Sequence, residues 1–286
     1  MIIRSSLPTA GVHSFSVRLA IVLASTLLVY QSALAQSRDE IDLVQRIEKA
    51  GGTILRSEIK PGNPIISVDL RYTDAVDADV KGISSLPELI LLILAGTKVT
   101  DQVVNEILRC EKLETVDLGG CSVSQRAVVR LAAMKNLRDL MLEGVDIDDD
   151  GARSIAAAKQ MTSLLLSRTK IGDDGLDHLT SLPNLDSLNV AGTRISNEGI
   201  KKLSKCRMLN YLDVSGTPIS NVAVESLKEC RRLTTLYLDG TRIDDQGIRF
   251  VQDMKSLKVL GVKNTDVTDK AISELRILLP QLRIER

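Results

Sequence analysis

The chain has 286 residues, 44% hydrophobic and 26% charged, the proportions of a folded protein with room for one large domain or two ordinary ones. Its 37 basic residues balance 37 acidic ones, and aromatic residues make up only 2%, with no Trp. A neutral chain short of aromatic rings lacks both the charge and the stacking platforms of a nucleic-acid binder, which argues against nucleic acid as a partner.

The first segment reads as an address. Arg4 and Arg18 precede an apolar run from Leu19 to Tyr30, and Ala33 and Ala35 make a small-x-small cleavage pattern. The expectation is a signal peptide over residues 1–35, cleavage before Gln36, and export to the periplasm or the cell exterior. The alternative is an uncleaved anchor, because no charge interrupts Leu19 to Ser37. Against it, Gln31, Ser32 and Gln36 make the far end polar for a span that needs about 20 apolar residues, so membrane attachment is expected only without cleavage. Removing Arg4 and Arg18 lowers the basic count from 37 to 35 and leaves a net charge of −2.

Residues 36–64 read as an N-terminal cap. Ser37 with Glu40 is a capping box opening a helix whose inward face is Ile41, Val44 and Ile47, with Leu43 alongside, and which Gly51-Gly52 closes. Thr53 to Ile59 reads as a strand and Pro61-Gly62 as a turn, so a helix and a hairpin cover the segment that begins at Ile65.

A 24-residue period then sets in. Ile65, Leu89, Leu113, Leu137, Met161, Leu185, Leu209, Leu233 and Leu257 mark nine repeats over residues 65–278. Counting from each of these as position 1, positions 1, 4, 6, 11, 16, 19 and 22 are apolar in all nine. Positions 4 and 6 share one face of a short strand, and positions 16, 19 and 22 form one stripe of a short helix. Position 9 is Thr73, Thr97, Cys121, Thr169, Thr193, Thr217, Thr241 or Thr265, a polar group turned inward to satisfy the bend after the strand, and Val145 breaks that ladder. Position 8 is Gly at 96, 120, 144, 192, 216 and 240 and Asn at 264, which predicts a positive φ; Tyr72 and Arg168 depart from this, so those two corners are expected to be shaped differently. Leu279, Leu282 and Ile284 restart the 1, 4, 6 pattern after 22 residues, making residues 279–286 a partial terminal strand without evident cover. A monomer is expected, with an end-to-end dimer through that strand as the alternative.

The motif L-x-x-L-x-L-x-x-N/C/T-x-L, repeated over residues 65–278, resembles the leucine-rich repeat family, and the period is similar to its cysteine-containing subclass and to exported bacterial proteins built from it. The resemblance implies a right-handed α/β solenoid with a concave parallel sheet and short convex helices, and most often protein partners. F-box substrate receptors of ubiquitin ligases carry similar repeats, but residues 36–64 are too short for an F-box and the export signal points elsewhere.

Enzyme chemistry finds little support. Cys110, Cys206 and Cys230 occupy position 22 and Cys121 position 9, interchangeable with core residues, so four free buried thiols are expected rather than disulfides. Asp146, Asp148, Asp150 and Gly151 open like a calcium loop, but Ala157 stands where the closing Glu belongs. His178 falls in a solvent-facing slot of the repeat. There is no Gly-rich phosphate loop, H-E-x-x-H or Gly-x-Ser-x-Gly, and no cofactor or metal is expected.

What distinguishes the repeats from one another is the concave face, positions 3, 5 and 7. It carries Asp69, Asp117, Asp139, Glu143, Asp213 and Asp239 against Arg71 and Lys263, four net negative charges that favour a cationic partner. Tyr211 and Tyr237 stand in adjacent repeats, flanked by Asp213 and Asp239, and Leu91 with Ile93 and Met141 with Leu165 make two apolar patches. These eight residues are the expected site for a protein or peptide. A second candidate is the convex cluster Lys201, Lys202, Lys205, Arg207, Lys228, Arg231 and Arg232, suited to a structural or assembly role in the cell envelope.

Overall fold

The computed structural model describes residues 38–286, so the signal-peptide and cleavage expectations, and the Ser37 cap, lie outside the described residues. Helix α1 covers residues 38–49. It is followed by strands β1 (Thr53–Arg56) and β2 (Ile65–Asp69), which pair antiparallel as a hairpin. Thereafter strands alternate with helices: β3 (Leu91–Ile93), α2 (Asp101–Ile107), β4 (Thr115–Asp117), α3 (Gln125–Ala132), β5 (Asp139–Met141), α4 (Asp149–Ile155), β6 (Ser163–Leu165) and α5 (Asp173–Leu179). The second half adds β7 (Ser187–Asn189), α6 (Asn197–Lys202), β8 (Tyr211–Asp213), α7 (Asn221–Leu227), β9 (Thr235–Tyr237), α8 (Asp245–Arg249), β10 (Val259–Gly261), α9 (Asp269–Leu278) and β11 (Arg283–Glu285). All eleven strands form one sheet in chain order, parallel from β2 onward, with every residue opposite the one 24 positions away. The result is a right-handed solenoid with the helices on its convex side.

The seven apolar columns are the core. All are buried from Ile65 onward except Met134, which is half-buried, and Leu278, 57% exposed where the last helix has no further repeat against it. At position 9 each Thr hydroxyl donates to the carbonyl of its own position 6, at 2.5–2.8 Å, closing the bend from strand to loop. The Cys121 thiol reaches the Leu94 carbonyl instead, at 3.0 Å, and Val145 contributes only its backbone N–H to Leu142.

The convex side is held by a second ladder, which crosses from repeat to repeat. The residue before each helix, position 12, presents a backbone N–H that no helical carbonyl can reach. In every case a position 13 side chain of the preceding repeat accepts it: Asp77 for Thr100, Asp101 for Ser124, Gln125 for Asp148, Asp149 for Gly172, Asp173 for Ser196, Asn197 for Ser220, Asn221 for Asp244 and Asp245 for Thr268. The pairs are matched in polarity. Hydroxyls at Thr100, Ser124, Ser196 and Thr268 donate to aspartates, whereas Asp244, which can only accept, receives the Asn221 amide. Asp148 is likewise placed beside an amide, Gln125. Gly151, Gly175, Gly199 and Gly247 leave room for these side chains; a Cβ on Gly247 would stand 2.2 Å from the Asn221 oxygen.

Several expectations are corrected. Tyr72 and Arg168 do not reshape their corners: both adopt φ of 59° and 58°, close to the 64–70° of the position 8 glycines, because the backbone ladder on either side imposes the bend whatever the residue. In α1, Leu43 and Ile47 are fully buried and Ile41 is 52% exposed. At about 100° per residue Ile41 lies opposite Leu43, so the two cannot share a face. The first repeat has only a short 3-10 turn, Ile83–Ser85, because Gly82 turns left-handed and Asp77 is committed to the next repeat. The first strand stops at Arg56, where a bulge breaks its register and Ser57 bonds Pro64 instead. At the C-terminus Ile284 lies opposite Leu260, which puts it in column 4 after 24 residues and not in column 6 after 22. The outer edge of β11 is three residues long and carries Arg283 and Glu285, features that discourage edge pairing.

All four cysteines are free and buried. Burial pushes the Cys110 and Cys230 thiols up to about 12 and Cys206 to about 11, and raises Cys121 as well. The thiolate is the reactive form. Iodoacetamide at pH 8 will therefore leave the native protein unmodified by mass spectrometry and label all four thiols in urea; labelling of the native form would contradict this. Polarity matching in the convex ladder is tested by Asn221→Asp, which sets two carboxylates against each other at Asp244. Chemical denaturation should show a loss of stability at pH 7 that shrinks as pH falls and the facing pair of carboxylates takes up a proton.

Candidate functional site

The strands expose positions 3 and 5 on the concave face, half-buried, while position 4 points inward and is fully buried. Because the register is 24 throughout, position 5 forms one continuous row: Asp69, Ile93, Asp117, Met141, Leu165, Asn189, Asp213, Tyr237 and Gly261. Neighbours in that row are about 4.8 Å apart, the spacing of paired strands. Met141 and Leu165 are direct neighbours, and Ile93, with Leu91 on the same strand, approaches them from the other side of Asp117. The two apolar patches read from the sequence are thus the flanks of one carboxylate.

Tyr211 and Tyr237 come together as tilted rings with centroids 5.9 Å apart. Gly261 gives Tyr237 its place, since a Cβ there would stand 2.4 Å from the ring. Burial, with the Asp213 charge second, pushes the Tyr211 hydroxyl up to about 12, so this ring presents a neutral surface at physiological pH. Asp213 accepts from the Ser215 N–H and the Asn189 amide, and Asp239 from the Lys263 N–H. Asp69 is neutralised by Arg71, which lowers its pKa through a hydrogen-bonded ion pair at 2.7 Å. Asp117 differs: among the described residues it accepts only the Gly119 N–H, at 2.9 Å, and burial outweighs that bond and raises its pKa.

Beside Asp117, where the strands end, lies a pocket of about 360 Å³ that the sequence reading did not identify. Gly96, Gly120 and Gly144 leave it without side chains at position 8, and Tyr72 and Arg168 stand at its two ends. Its inner side is Met141 and Leu165, and Glu143 completes the rim, 3.6 Å from the Arg168 guanidinium. The interrupted glycine column was the signal available in the sequence.

The convex cluster is largely self-neutralised. Lys201 pairs with Glu198, Lys202 and Lys205 with Asp177, and Lys228 with Glu225, leaving Arg207, Arg231 and Arg232 without a carboxylate among the described residues. His178 accepts from Arg153, and Asp148 serves as a helix cap rather than a calcium ligand. Among the described residues no three His, Cys, Asp or Glu side chains are grouped to hold a metal ion, and no helix is long and apolar enough to cross a membrane.

The raised pKa of Asp117 has a definite sign. A carboxyl whose folded pKa exceeds its unfolded value favours folding at low pH and loses that contribution as pH rises through the folded pKa. Asp117→Asn keeps an acceptor for Gly119 and removes the buried charge. Its denaturation midpoint should exceed wild type at pH 7 and match it near pH 3; a variant less stable at pH 7 would contradict the assignment.

Two consecutive segments, residues 181–204 and 205–228, match the family model described as Leucine Rich repeat. No curated protein is significantly similar to the chain. Among solved structures, internalin C2 from Listeria monocytogenes str. 4b F2365 is similar, with a TM-score of 0.54 and 19% identity over 86% of this chain and 92% of that one. At that identity the likeness is one of fold. The chain folds as a leucine-rich repeat solenoid.

Proposed function

We propose that the protein is a non-catalytic scaffold, exported to the periplasm or the cell exterior, that binds a protein or peptide across its concave sheet. The observation that carries this reading is the Tyr211 and Tyr237 pair at 5.9 Å on the open face of a sheet whose inward columns hold only aliphatic residues. Aromatic rings offer large contact area at small entropic cost, and they concentrate binding energy. Asp213 and Asp239 beside them, and Asp117 and Asp139 farther along the same face, form no ion pair among the described residues, which favours a cationic partner. Export rests on Arg4, Arg18, the run from Leu19 to Tyr30 and the Ala33 and Ala35 pattern. An envelope-assembly role through the convex surface is the weaker reading, since most of its cations already have partners.

Peptides selected from a random phage-displayed library on the wild-type protein test this reading. Binding of the selected peptides should weaken about tenfold or more in Tyr211→Ala/Tyr237→Ala and stay unchanged in Arg207→Glu/Arg231→Glu/Arg232→Glu. Equal binding by the tyrosine variant would remove that patch from the site. Loss only in the charge-reversal variant would move the site to the convex side.

A further inference from the structure

The pocket beside Asp117 has more definition than a docking surface alone requires. Position 8 needs a left-handed residue in every repeat; six repeats use Gly and the last uses Asn264, a residue type that tolerates this conformation. Tyr and Arg are poor choices there: a non-Gly residue with positive φ is uncommon, and for a bulky side chain it is an outlier. Such conformations persist where surrounding structure enforces them and cluster at functional sites. Here the two exceptions are not scattered. They bracket the run Gly96, Gly120, Gly144, whose missing side chains open the space between them.

We propose that this pocket receives the cationic side chain, lysine or arginine, of a partner segment lying across the concave face. The inference rests on the concave-face reading and assigns it a specificity pocket. Its charge inventory is Asp117 and Glu143 against Arg168, a net of −1 that one incoming cation neutralises. Among the described residues Asp117 forms no ion pair, because Arg71, which acts on it electrostatically, is committed to Asp69, and it sits between apolar neighbours that limit screening by water. Met141 and Leu165 suit the alkyl stem of such a side chain, whose charged head then reaches the carboxylates. The Tyr72 ring, packed over Gly96, offers a face to the same cation. A volume of about 360 Å³ accommodates one side chain and not a folded element. An anionic guest drawn to Arg168 would have to displace Glu143 and face Asp117.

The probe is N-acetyl-arginine amide, titrated into the whole protein and followed by amide NMR, where glycine resonances are well dispersed. Shifts should be confined to Gly96, Gly119, Gly120, Gly144 and their neighbours. They should be absent with the neutral citrulline analogue, and binding should weaken roughly threefold to tenfold in Asp117→Asn, the scale of one partly exposed ion pair. Tyr72→Gly keeps the required backbone conformation and leaves Arg168 in place, so it should fold at least as stably as wild type in urea yet, without the ring, bind the probe more weakly. Tyr211→Ala/Tyr237→Ala should bind the probe as wild type does, because those rings lie outside the pocket. Equal shifts with citrulline, shifts elsewhere, no shifts, preferential binding of N-acetyl-glutamate amide, or unchanged binding by Tyr72→Gly would overturn the assignment. Library peptides that bind without any preference for Lys or Arg would overturn it while leaving the concave-face reading standing. A failed library selection alongside arginine-specific shifts would do the reverse.

Discussion

A backbone N–H that starts a helix on the convex side has no carbonyl below it, and this coil answers that demand with a side chain borrowed from the preceding repeat. Asp173 for Ser196, Asn221 for Asp244 and their counterparts make each repeat the completion of the one after it. The arrangement dictates sequence at three further places. It selects Gly at 199 and 247 to clear the reaching side chain, and places an amide rather than a carboxylate beside Asp244. It also explains why an isolated repeat has little reason to fold: its apolar stripe and its helix start both depend on a neighbour.

The same constraint fixes the register that makes the concave face a surface of defined pattern. Since no strand slips, residues 24 apart become neighbours, and the position 5 row lays Ile93, Asp117, Met141 and Leu165 side by side. Positions 3, 5 and 7 are the ones that neither ladder uses and no column fills, so they are free to differ from repeat to repeat. The aromatic pair and the unpaired carboxylates are gathered there. Scarcity of aromatics elsewhere follows from the narrowness of the coil, whose interior accepts aliphatic side chains in seven columns.

How much of this could be read beforehand depends on how local each cause is. A strict period places Tyr211 and Tyr237 on adjoining strands without any coordinates, because parallel pairing and side-chain alternation do the rest. Burial of Cys110 or Cys206 follows in the same way from column membership. The Tyr72 and Arg168 corners did not, because a residue's intrinsic aversion to positive φ says nothing about the hydrogen bonds that force it. Ile284 was misplaced for a related reason: apolar spacing suggests a strand, but only pairing with Leu260 decides its column. The pocket beside Asp117 escaped notice because it consists of absent side chains, and a column of glycines reads first as turn chemistry.

The convex ladder runs in one direction. Acceptors belong to the earlier repeat and the N–H groups to the later one, so the two ends of any shortened coil are not equivalent. Cutting repeats from the C-terminal side strands a carboxylate or amide that water solvates readily. Cutting them from the N-terminal side strands a backbone donor over a helix start, where only another cap can replace what was lost. A chain emerging N-terminus first during synthesis meets the favourable order throughout, each new helix arriving at an acceptor already in place.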